Sequence, residues 1–235
     1  MKEKPKQSTG DIVHRAIKGA LEGIPFGGGL AAEFYELIWK PPYTKRIREW
    51  IEAIAQDVKK LQAQNKDINF EELNNNDIFN TTLFHATQSA IRNHQKEKLD
   101  ALRSAVMNSA LPNAPEEDLQ LMFLHWIDEL TTWHLKILKF FDSPEIFVNK
   151  NKVAIPDWGE ASPLHVFYQV YPKMRDQEQI FNLMLQDLDL KELINEAGIH
   201  NTMEKMAYLR VSHTTDLGKK FLQFIASPIE DREGR

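Results

Sequence analysis

Apolar residues recur at intervals of three and four along nearly the whole chain, and stretches that alternate apolar with polar are rare. A side chain that returns to one side every 3.6 residues is buried by a helix, and one that returns every second residue by a strand, so the pattern predicts a mainly α fold. The clearest case runs from Tyr43 to about Asn65, where Ile47, Ile51, Ile54, Val58 and Leu61 are spaced 4, 3, 4, 3. That is an a/d seam about two heptads long, too short for a free coiled coil, so the helix is expected to pack inside a bundle. The same five residues, with Trp39 and Tyr43 beside Pro41-Pro42, are also the candidate contacts for a protein partner.

The same periodicity extends in both directions. Ahead of the seam, Ile12, Val13, Ala16, Ile17, Ala20, Leu21 and Ile24 form one stripe of a first helix, which the glycine-rich run 23–29 ends before a short helix over Leu30–Trp39. Downstream, helices are expected over about Asp77–Asn93 and Lys96–Leu111. Another is opened by Pro115-Glu116-Glu117-Asp118, whose carboxylates suit the partial positive charge of free first-turn amides. Its stripe is Leu119, Met122, Phe123, Trp126, Ile127 and Leu130, after which Thr131 or Thr132 caps a helix carrying Leu135, Ile137, Leu138, Phe140 and Phe141. Turn formers concentrate from Asn149 to Pro163 and mark a boundary. The expected division is an amphipathic arm with a glycine bend (1–40), a helical bundle (41–150) and a small C-terminal module (151–235). In that module the pattern predicts helices over about Leu164–Tyr171, Gln177–Leu188 and Leu190–Ala197, the last ended by Gly198. A short strand over Leu209–His213 then precedes a final helix starting at Thr214-Thr215-Asp216.

Composition narrows the chemistry. A chain of 235 residues with 42% apolar content can bury a substantial core, and the absence of cysteine excludes disulfides, thiolate zinc sites, iron-sulfur clusters and a thiol nucleophile. The polar start and the lack of 18 uninterrupted apolar residues point to a cytoplasmic protein. The net charge of −5 divides unevenly: +4 over residues 1–66, −6 over 67–150 and −3 over 151–235. A cationic face for nucleic acid or an anionic membrane surface is therefore expected only near the front, with Arg15, Lys18, Lys45, Arg46 and Arg48 as its candidates.

Specific motifs are missing. Gly27–Gly29 lack a phosphate-loop pattern, and Glu33 and Glu36 follow them closely. His85 with His94, and His125 with His134, are nine residues apart, which turns the second ring to the opposite helix face. No Gly-x-Ser-x-Gly surrounds any serine. No catalytic residue, cofactor or metal ligand is expected.

Two segments carry resemblances. Three helices, an extended piece and the run HTTDLGKKFLQFI at His213–Ile225 resemble the end of winged-helix-like modules. AIRNHQKEKLDALRSAVMNSAL at Ala90–Leu111 is similar to a pattern in poorly characterised bacterial all-helical proteins of the abortive-infection or phage-defence type. The first resemblance implies a winged-helix-like C-terminal module with a short β element. Its candidate recognition helix, Asp189–Ala197, sets Asp189, Glu192 and Glu196 against Lys191, a balance that repels phosphates. The expected function is therefore a non-catalytic protein-interaction or regulatory role, in bacterial defence if the second resemblance holds, with a protein partner or homo-oligomer. The alternatives are a winged-helix DNA-binding regulator using the basic front, and a membrane-active effector acting through residues 11–40.

Overall fold

The computed structural model describes residues 42–65, 68, 70–154, 160–204 and 207–229. The arm over 1–40 with its glycine bend, and with it Arg15, Lys18 and Trp39, lies outside the described residues. The fold is mainly α: the described residues form twelve α-helices, one 3-10 helix and one two-stranded sheet. The chain divides into two compact units, Met1–Glu129 with Phe224–Arg235, and Leu130–Gln223. This division falls after Glu129, well ahead of the turn-rich segment 149–163, because the helices on either side of that segment pack together in the second unit.

Unit I contains α1 (Pro42–Gln64), α2 (Phe70–Asn74), α3 (Asp77–Arg92), α4 (Lys96–Ser109) and α5 (Glu117–Glu129). α1 rests on α3 and α4, which pack on each other and on α5. The seam of α1 explains its seating: Ile54, Val58 and Leu61 are buried, and Ile47 and Ile51 half-buried. Helix starts follow the sequence closely. Asn76 caps α3 by accepting from the Phe79 amide at 3.0 Å, and Glu117 and Asp118 occupy the first turn of α5. Phe123, Trp126 and Ile127 are buried as their spacing predicts, whereas Met122 on the same stripe is exposed.

Two polar clasps join the helices of this unit. Arg103 Nε and Nη2 donate to Asp57 Oδ2 and Oδ1 at 2.7 and 2.9 Å, a two-pronged pair that ties α4 to α1. Lys98 Nζ donates to the Asp128 carbonyl at 2.7 Å, placing a cation on the negative end of α5. Burial pulls the Lys98 ammonium below its usual pKa, and the Asp128 carboxylate opposes that shift.

Unit II contains α6 (Thr132–Asp142), α7 (Pro144–Asn151), β1 (Glu160–Ala161) and α8 (Pro163–Val170). A 3-10 turn (Pro172–Gln177) leads into α9 (Glu178–Leu190), α10 (Glu196–His200), β2 (Met203–Glu204), α11 (Ala207–Arg210) and α12 (Asp216–Phe224). Thr131, the first of the two threonines, caps α6: its backbone N–H donates to His134 Nδ1 at 3.1 Å and its hydroxyl accepts from the His134 amide. The core is aromatic. Phe140, Phe141, Phe167 and Phe181 are fully buried, and the Phe167 ring touches all three of the others.

Two expectations for this unit need correction, and one of its helices has no counterpart among them. The helix over Leu190–Ala197 does not form: Glu192 turns to positive φ, Leu193 is buried, Ile194 bridges to Thr214, and helix restarts after Asn195 caps the Gly198 amide. Gly198 therefore sits inside α10 instead of ending a helix, and His213 presses on it, since a Cβ there would lie 2.8 Å from His213 Nδ1. The strand over Leu209–His213 is also absent: its first two residues finish the single turn α11, while the antiparallel pair is β1 with β2, in register Ala161 to Met203. Finally, α7 is a helix the apolar pattern does not announce. Its signal is local, a proline and an acid at Pro144-Glu145 opening it and Lys152 in the left-handed region closing it.

His213 links this geometry to pH. Its amide donates to Phe141 O and its carbonyl accepts from the Asn195 amide, both at 2.8 Å, so the imidazole is held in the interior, where Nε2 is buried with no hydrogen-bond partner. Burial holds its pKa below that of an ordinary histidine. The folded state then resists a proton that the unfolded state accepts. Stability is full above the unfolded pKa and falls as pH drops below it, until the folded pKa is passed. The unfolding temperature should fall between pH 7 and pH 5, and His213→Leu should flatten part of that fall. Identical pH profiles for the two proteins would contradict this assignment.

Candidate functional site

Three places on the two units could carry function. In unit I, α1, the α3–α4 connection and α4 enclose a groove of about 380 Å³. Its walls include the apolar side chains Trp50, Ala53, Ala90 and Leu99, and its charged groups are Arg46, Glu49, Lys96, Asp100 and Arg103, with His94 beside them. The bundle positions each. Trp50 is fixed by its indole N–H, which donates to Thr87 Oγ1 at 3.1 Å, and Arg103 by the Asp57 clasp. A ladder of alternating sign follows, with Asp100 3.7 Å from Arg103 and 2.9 Å from Lys96. The Asp57 carboxylate raises the Arg103 pKa further. Arg46, by contrast, makes no ion pair or hydrogen bond among the described residues.

A second groove in unit I, of about 230 Å³, lies between α3 and α5 and is lined by His85, Ser89, Arg92, His125 and Asp128. The sequence sets His85 with His94 and His125 with His134, with Asp128 nearby, and does not pair His85 with His125. His85 and His125 come from different helices, and the nine-residue spacings do not connect them. Ser89 Oγ donates to Asp128 Oδ1, and Arg92 Nη2 donates to Oδ2 at 2.7 Å. No imidazole stands between this serine and its carboxylate, so the arrangement lacks the base that activates a hydroxyl. It reads as a fastening between helix ends. Among the described residues no group of three His, Asp or Glu is placed to hold a metal ion, and no helix is long and apolar enough to cross a membrane.

The third place is a face of α9 in unit II. This helix has more apolar residues than one face can bury. Phe181, Met184, Leu185 and Leu188 enter the core, while Ile180 (54%), Leu183 (59%) and Leu190 (82%) stay exposed. At about 100° per residue, Ile180, Leu183, Asp187 and Leu190 fall within an arc of about 80°, so the exposed side chains form one stripe. Asp187 is its single charge, and its Oδ2 lies 3.4 Å from His134 Nε2. Exposed glutamines, Gln179 and Gln186, border it. The other exposed apolar residues of the unit, Ile146 and Val211, stand on separate elements.

The residues nominated from sequence are dispersed. Ile54, Val58 and Leu61 are spent inside unit I and offer a partner nothing, which corrects their nomination as contacts. Ile47 and Ile51 are half-buried, and Tyr43 lies in the first turn of α1. Lys45 is exposed and pairs with Glu49 at 3.6 Å, Arg48 is exposed, and Arg46 lines the first groove. Arg46 stands about 100° around the helix from Lys45 and about 160° from Arg48, so the three nominated cations of α1 spread over nearly half of its circumference. The α9 stripe was missed from sequence. Its signal was present, since seven apolar residues between Ile180 and Leu190 exceed what a one-sided helix buries.

No protein-family model, curated protein or solved structure matches the chain.

Proposed function

We propose that this protein works by docking another polypeptide, with the exposed α9 stripe as the contact face. The observation that carries this reading is the alignment of Ile180, Leu183 and Leu190 on one side of a helix whose other side is already packed. Isolated exposed apolar residues are common on protein surfaces, whereas a row at helical spacing is the form in which one amphipathic helix reads another. The face is one helix wide and therefore smaller than the roughly 800 Å² per partner of a standard stable interface, which favours a regulated, reversible contact over a permanent dimer.

The proposal keeps residues 151–235 as a winged-helix-like platform, supported by the short pair β1–β2 flanking α8, α9 and α10 in sequence. Six carboxylates between residues 176 and 196 against the lone Lys191 favour protein over nucleic acid as its partner. A regulatory role in bacterial defence belongs to the same proposal through the resemblance of Ala90–Leu111, and a cytoplasmic location through the lack of 18 uninterrupted apolar residues.

The test is a triple substitution, Ile180→Ser, Leu183→Ser and Leu190→Ser. Because these side chains are more than half exposed, each change should cost no more than about 1 kcal/mol. The polypeptides recovered with the tagged wild-type chain from its own cells should be missing from the variant. Recovery of the same set with the variant would remove the α9 face from the account.

A further inference from the structure

The groove of unit I has a property that the docking role does not use. We infer that it is a binding site for a small amphipathic anion, an apolar body carrying one carboxylate or phosphate head. Its volume of about 380 Å³ lies within the range of ligand sites, and its apolar walls come from Trp50, Ala53, Ala90 and Leu99. The charges around it are nearly all committed elsewhere. Arg103 is held by Asp57 and Asp100, Lys96 by Asp100, and Glu49 by Lys45. Arg46 is left over, a half-buried residue on the groove wall with no acceptor among the described residues.

A guanidinium has five donors in a plane and binds carboxylate or phosphate in a two-pronged fashion, as Arg103 does for Asp57 in the same unit. His94 on the same wall adds a second donor to an oxyanion. The apolar walls would take the body of the ligand while Arg46 takes its head. A purely polar anion would leave the walls wet, and a purely apolar molecule would leave the guanidinium without its acceptor.

Octanoate, octyl phosphate and octanol separate these cases, with binding to the full chain followed by NMR. Both anions should bind saturably and move the amide signals of Arg46, Asn93 and His94 and the indole signal of Trp50. The stronger of the two identifies the head group. Octanol should bind at least ten-fold more weakly. Arg46→Gln should weaken the anions at least ten-fold, and Arg48→Gln, which removes the same charge from an exposed position outside the groove, should change them less than two-fold. Equal binding of octanol, equal effects of the two substitutions, shifts confined to other residues, or no saturable binding of either anion below about 10 mM would each overturn the inference.

Discussion

Phe167→Ala should cost unit II about 3–5 kcal/mol, a large part of the stability of a small compact unit. The ring is fully buried and lies 4.8 Å from Phe181, 5.0 Å from Tyr171 and 5.1 Å from Phe140, and it stacks on Phe141 at 5.5 Å and 20°. Truncation removes its buried surface and also withdraws one member from each of those ring pairs, leaving a void that four large rigid side chains cannot fill. Thermal unfolding should register the loss as a fall of well over 10 °C for a unit of this size. Phe167→Leu, which keeps most of the volume, should lose much less. Similar losses for Ala and Leu would mean that packing around this ring is not what holds the unit together.

Gly218→Ala should be the second severe change, and its sign is informative. Gly218 is in the first turn of α12, where its amide donates to Thr215 Oγ1 at 3.0 Å, and alanine inside a helix is ordinarily favoured over glycine by about 1 kcal/mol. Here a Cβ would stand 2.1 Å from the Leu193 carbonyl oxygen and 2.6 Å from Thr214 Cγ2. Leu193 cannot step aside easily, because its carbonyl accepts from the Thr215 amide at 3.1 Å and the neighbouring Ile194 bridges to Thr214. The clash is with backbone, so overpacking should outweigh the helical preference and give a net loss of about 2 kcal/mol or more. A stabilised Gly218→Ala protein would show that the approach of α12 to Leu193 is looser than described.

These two residues mark where the sequence is informative and where it stops. Periodicity places the helix that carries Phe167 and the buried positions Phe123, Ile127, Phe140 and Phe141, and local chemistry places the starts of α3, α5 and α6, because Asn76, Glu117-Asp118 and Thr131 act within one turn of their own positions. The close contact at Gly218, the bridge of Ile194 to Thr214 and the burial of Leu193 join residues about twenty apart, and they convert an expected helix over Leu190–Ala197 into a turn. No local pattern contains that information. The two-residue strands are likewise too short to alternate visibly, and the real pair, Glu160–Ala161 with Met203–Glu204, is held by partners distant in sequence.

The functional places divide in the same way. Arg46 was identifiable as a cation, but its groove is assembled from α1, the α3–α4 connection and α4, so that its neighbours His94 and Leu99 are far away in the chain. The α9 stripe is different, since Ile180, Leu183 and Leu190 are close in sequence and only their exposure was hidden. Which of two apolar faces meets the core depends on the neighbouring helices, and in unit II those are α6 and α10.

The docking face is tested most directly by placing a photoreactive benzophenone side chain at Leu183, at Leu190 and, on the exposed surface of α7, at Asn149, and irradiating intact cells that produce the protein. The account predicts covalent adducts with another polypeptide at positions 183 and 190 and none at 149. Adducts in equal yield at all three, or at none, would contradict it.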